Sequence, residues 1–154
     1  MARSLFDPRG SAALAQRLAR LTPDAPRQWG RMDAHQAVCH LSDAFAWSLG
    51  QRPATAEGKP PLPPPVLRWV ALRLPLPWPK GGVPTMREAD QERDGTRPTE
   101  FARDRARLEG LMASFAALPD VPPVVHPFFG PMSRGDWGRW GWRHCDHHFR
   151  QFGV

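Results

Sequence analysis

Three histidines carry the residue types and the spacing for metal chemistry. His144 and His148 stand four residues apart near the end of the sequence. On an α-helix their side chains lie about 40° apart on one face, so both imidazoles can reach one metal ion. His40 lies in an earlier amphipathic segment, again on its apolar side. Two histidines from one helix and one from another leave a coordination position open. In zinc chemistry that separates a reactive centre from a closed structural one. A buried imidazole must also satisfy its second ring nitrogen, so acceptors are expected behind the ligands.

The neighbouring polar residues have less certain duties. His147 projects roughly 60° to the other side of His144, as a supporting group or a substitute ligand. Asp43, one turn from His40, either orients a ligand, binds directly, or is an ordinary surface carboxylate. Gln151 falls on the inward stripe, within reach of His147 or a bound water, and plain packing serves it equally. His126 precedes Pro127 in a loop that runs into the histidine helix. His35 projects about 140° from His40 and is expected to be exposed. Cys39 and Cys145 each flank a candidate ligand, but two cysteines are too few for a disulfide scaffold and read as reduced thiols.

The elements that must position these side chains are helical. Leu14, Leu18 and Leu21 mark a first helix over about 11–21, stopped by Pro23. Asp33 with Gln36 forms a capping-box signature for a second helix reaching about Leu49, with Gly50 as its stop. Residues 51–98 are Pro-rich and irregular, with regular structure expected to be forbidden around Pro60–Pro65. A short helix is expected over about 66–74. Pro75 to Gly82 reads as a rigid stretch ending in a flexible turn. A connection this long inside a small domain is functional or packed as a lid. The third main helix is expected over about 99–118, with Phe101, Leu108, Leu111, Met112 and Phe115 inward and Arg105 at the edge. Ser133 and Asp136 open the last helix, which runs to about Phe152 with the histidines at the centre of its buried stripe. Four main helices with no strand pattern give an all-α bundle.

The whole sequence of 154 residues fits one domain, 1–154, with seven Trp and eight Phe as bulky core material. No stretch approaches the ~20 apolar residues of a membrane span, and the start lacks a signal-peptide apolar run, so a cytoplasmic protein is expected. The formal charge of +6 comes almost entirely from scattered Arg, with Lys59 and Lys80 the only lysines. Without a basic run or an aromatic-basic repeat, nucleic-acid binding ranks last. The cationic surface can still attract an anionic small molecule.

The run His144-Cys-Asp-His147-His148-Phe-Arg-Gln151, with His40-Leu41 in an earlier helix, resembles the DinB/YfiT-like superfamily of metalloenzymes. The stretches Trp29–Gln36, Pro77–Gly81, Pro98–Phe101 and His126–Gly130 extend the resemblance, to an uncharacterised branch, over almost the full length. The resemblance implies a DinB-like four-helix bundle with the long Pro-rich connection between the second and third main helices. It implies a divalent metal, nickel or zinc, held by three histidines at positions matching His40, His144 and His148. It also implies frequent homodimers and a small-molecule substrate. Some members are transferases or isomerases using a low-molecular-weight thiol, and others are metal-dependent hydrolases; His126 belongs to the branch. Three functions are therefore carried forward: a thiol-dependent S-transferase, a hydrolase, and a non-catalytic metal-binding or stress-response module. The last requires a fourth protein ligand such as His147, His126 or Asp43.

Overall fold

The computed structural model describes residues 3–55, 60–81 and 85–154. Residues 56–59 and 82–84 of the Pro-rich connection, Lys59 and Gly82 among them, lie outside the described residues. Among the described residues the chain is all-α: α1 Pro8–Arg20, α2 Ala34–Ser48, α3 Pro64–Arg73, α4 Phe101–Ala116 and α5 Arg134–Gln151, with a 3-10 turn at Arg87–Ala89 between α3 and α4. The only extended pairing among them is an isolated bridge between His126 and Gly130. No helix of the described residues is long and apolar enough to cross a membrane.

Local chemistry explains where the helices begin. At α2 the Asp33 side chain accepts from the Gln36 N–H, and Gln36 returns the bond to the Asp33 N–H, as the capping-box spacing requires. Ser133 caps α5 through the Asp136 N–H. α1 starts at Pro8, three residues before the expected start at about Ser11, because the Asp7 carboxylate accepts from Arg9 N–H and Pro8 supplies a first helical residue that needs no donor. The same proline logic corrects the expectation for Pro60–Pro65. Pro63 is the cap and Pro64 and Pro65 open α3, where their missing N–H groups cost little. α4 begins after Glu100, whose carboxylate accepts from the Ala102 and Arg103 N–H groups.

The four longer helices contact one another in a closed circuit, α1 with α4, α4 with α2, α2 with α5, and α5 with α1. α2 is the inner member, with every residue from Ala37 to Ser48 buried. Phe45, Phe115, Trp137 and Phe149 lie at its heart with Leu14, Leu18, Leu41 and Leu108. Each large side chain so buried contributes roughly 1.5–3 kcal/mol. Gly138 lets the N-terminal segment lie across α5: a Cβ there would stand 2.7 Å from the Phe6 ring, and Leu5 N–H donates to Gly138 O. The core stripe of α5 is centred on Gly141, Cys145 and Phe149, not on the histidines. His144 and His148 lie along its flank, beside the Pro-rich connection.

Candidate metal centre

α2 and α5 bring His40, His144 and His148 together. One ring nitrogen from each lies within 4.8 Å of the other two. His40 Nε2 stands 3.0 Å from His144 Nε2, and the His40 and His148 ring centroids are 4.6 Å apart. His40 and His148 are buried, and His144 is half-buried. Nitrogens about 2.0–2.1 Å from one tetrahedral ion are separated by roughly 3.4 Å, so the cluster needs only small side-chain shifts to hold one.

The remaining ring nitrogens fix the tautomers of His40 and His148. His40 Nδ1 is 2.8 Å from Ala89 O. A carbonyl only accepts, so Nδ1 carries the proton and Nε2 keeps its lone pair. Gln151 donates its Nε2–H to Trp29 O, leaving Oε1 to accept from His148 Nδ1 at 3.0 Å. His148 Nε2 therefore also keeps its lone pair. His144 Nδ1 is buried without a partner among the described residues. Burial holds all three imidazoles below the ordinary histidine range, and His40 further opposes protonation of His144 and His148. Two imidazole nitrogens at 3.0 Å need a proton or a cation between them, and neutral rings with fixed lone pairs suit a transition metal. The donor set and its hydrogen-bonded backing thus fit the metal implied by the sequence pattern.

The Pro-rich connection forms the wall of this site. Its 3-10 turn supplies the Ala89 carbonyl behind His40. Further upstream Trp78 lies 5.8 Å from His144 and 6.0 Å from His147 between ring centroids. Trp78 is held by its own N–H on Ala71 O, and Arg143 of α5 donates to Leu74 O and Leu76 O to pin the same segment. Trp29 closes the opposite rim, 5.9 Å from His147, with Lys80 Nζ 4.8 Å from its ring centroid.

The other candidates separate by position. His147 is half-buried at the rim, beside His148, Trp29 and Trp78. Gln151 engages His148 rather than His147. Asp43 is almost fully buried, and its carboxylate is taken by Arg52, Gln91 Nε2 and the Thr96 N–H and hydroxyl. It ties both ends of the connection, Arg52 and Thr96, to α2 and is saturated by them. His126 is buried against Trp47, Trp137 and Trp140 and stacks on Phe129. Its Nδ1 accepts from the Phe128 and Phe129 N–H groups, which closes the loop before α5.

His35 departs from the expectation of exposure. It is partly buried, with Nε2 2.7 Å from Asp104 Oδ2 on α4. Asp104 escaped the sequence reading because it stands among the apolar positions of α4. The available signal was His35 and Cys39, four apart on one face of α2. Cys39 and Cys145 are both free and buried.

Comparisons with protein-family models, with curated proteins and with solved structures find no match to this chain.

Proposed function

We propose that this protein is a divalent-metal-dependent enzyme of the DinB/YfiT-like class that acts on a small molecule. The observation that carries the reading is the convergence of His40, His144 and His148 with their outer nitrogens already engaged by Ala89 O and Gln151. The closed circuit of four helices is consistent with a DinB-like bundle. A bound nickel or zinc would lower the pKa of a coordinated thiol or water and so supply a nucleophile near neutral pH.

The chain's own residues favour a thiol-dependent S-transferase. Trp29 and Trp78 supply apolar walls for the carbon skeleton of a low-molecular-weight thiol, and Lys80 stands at the rim for its carboxylate. Metal-dependent hydrolysis is the second reading. His147 is then the general base, since Asp43 is committed to Arg52 and Thr96.

The test is the metal content of untagged protein beside a His40→Ala/His144→Ala/His148→Ala variant whose helicity is checked by circular dichroism. Loss of about one equivalent of nickel or zinc in a folded variant is expected. Equal metal in both, or no uptake by the parent after reconstitution, overturns the reading. Turnover of an electrophile only with added thiol selects the transferase; turnover of an ester or amide without thiol selects the hydrolase.

A further inference from the structure

α2 presents a second set of ligating side chains on its opposite side. His35 Nε2, Cys39 Sγ and an Asp104 carboxylate oxygen all lie within 4.8 Å of one another. His35 and Cys39 are four apart on α2, and Asp104 faces them from α4. Four donors converge on one oxygen: Asp104 Oδ2 receives His35 Nε2 at 2.7 Å, the Thr99 N–H at 2.9 Å, the Thr99 hydroxyl at 3.3 Å and the Cys39 thiol at a loose 3.8 Å. Among the described residues the Oδ1 atom has only that same Thr99 hydroxyl, also at 3.3 Å. An oxygen with two lone pairs cannot serve four donors well, and the long thiol contact is the one left poorly satisfied.

We propose that His35, Cys39 and Asp104 form a second, thiolate-containing site for a zinc-type divalent cation, independent of the three-histidine centre. Imidazole, thiolate and carboxylate are the ordinary zinc donors, at about 2.0–2.1, 2.3 and 2.0–2.2 Å. Around one tetrahedral ion their mutual separations are roughly 3.3–3.7 Å, so the His35–Asp104 contact opens by about half an ångström while the thiol distance hardly changes. On binding, the Cys39 S–H proton leaves to solvent, and the His35 proton sits on Nδ1 so that Nε2 coordinates. Thr99 keeps the carboxylate oriented from behind. His35 remains partly exposed, at 18% of its side chain, which gives the ion a route in and a water a fourth position.

The same cluster does not suit nucleophilic catalysis. His35 bonds to the carboxylate, not to the sulfur, so no base is aimed at the thiol. Cys39 is buried with its thiol turned to the Asp104 carboxylate, a setting that disfavours a free thiolate and leaves a bound cation to displace the proton.

Cobalt(II) reports the site directly, because a thiolate-to-cobalt charge-transfer band arises only where sulfur coordinates, and the three-histidine centre has none. Metal-free full-length protein titrated with cobalt(II) should develop this band. It should persist in the His40→Ala/His144→Ala/His148→Ala variant and vanish in Cys39→Ser. Asp104→Asn should weaken the binding that produces the band by tenfold or more, with circular dichroism confirming the fold of each variant. Cobalt uptake by the parent without a charge-transfer band overturns the proposal, as does a band that survives in folded Cys39→Ser.

Discussion

At the scale of single residues, the clearest consequence of burial is at His126. Its ring is enclosed by Trp47, Trp137, Trp140 and Phe129, and desolvation pulls its pKa down to about 3. In the unfolded chain a histidine titrates near 6.5, so below that pH the unfolded state takes up a proton that the folded state refuses. Stability is therefore lost as pH falls from about 6.5 toward 3, at about 1.4 kcal/mol per unit once the unfolded histidine is fully charged. His126→Asn keeps an acceptor for the Phe128 and Phe129 N–H groups but removes the titration. Urea unfolding at pH 7.5 and pH 5 should show the gap between parent and variant shifting by about 2 kcal/mol in the variant's favour at the lower pH. A gap that does not move with pH refutes this account. Gln151 acts differently, since it touches the candidate ligand His148 and leaves the ion itself alone. Gln151→Leu should fold, yet bind nickel or zinc roughly 10–100-fold more weakly in competition with a chelator, the cost of losing a group that orients a ligand. Unchanged affinity would mean that His148 is not held as a ligand.

At the scale of the elements, what the sequence revealed was local chemistry. The Asp33–Gln36 box and the Ser133 cap are written within four residues, and both helices start where that spacing places them. Pro64 and Pro65 were misread because a proline forbids the interior of a helix and favours its first turn, and composition alone does not say which turn it occupies. The histidine face of α5 was legible from the i, i+4 spacing. Its flanking position was not, because three small or apolar residues, Gly141, Cys145 and Phe149, take the centre through contacts with distant segments. The turn before α2 bears on the site by the same long-range logic. Gly30 has φ +78°, and a Cβ there would lie 2.7 Å from Gln151 Nε2. Gly30→Ala is thus strained in its backbone and displaces the amide that backs His148. It should cost about 1–2 kcal/mol in thermal unfolding and also weaken nickel or zinc binding. A stability loss with unaltered metal affinity would separate Gln151 from the centre.

At the scale of the whole molecule, the long Pro-rich connection is the part whose purpose sequence could not state. It was open whether 51–98 covered a site, lined it, or faced a second copy of the chain, because every contact that answers the question is remote in sequence. Ala89 meets His40 across 49 positions, and Arg143 reaches back to Leu74 across 69. The geometry makes the connection a wall fixed at two places, with both of its ends at Asp43 through Arg52 and Thr96 and its middle at α5 through Arg143. Between them Trp78 stands over His144 and His147 without supplying a ligand. Thermodynamic and kinetic effects should therefore separate at this residue. Trp78→Ala removes the cover and leaves His40, His144 and His148 with the partners of their outer nitrogens, so equilibrium affinity for nickel or zinc should change by less than about threefold. Removal of the metal by excess chelator requires passage through the mouth of the site, and its rate should rise by roughly tenfold. The stability cost should be modest, about 1–2 kcal/mol, since the ring is only half-buried. A variant that loses affinity in step with a faster release would place Trp78 among the groups that hold the ligands. One that changes neither would mean that the metal enters by another path, and the connection would then act only as the support for Ala89.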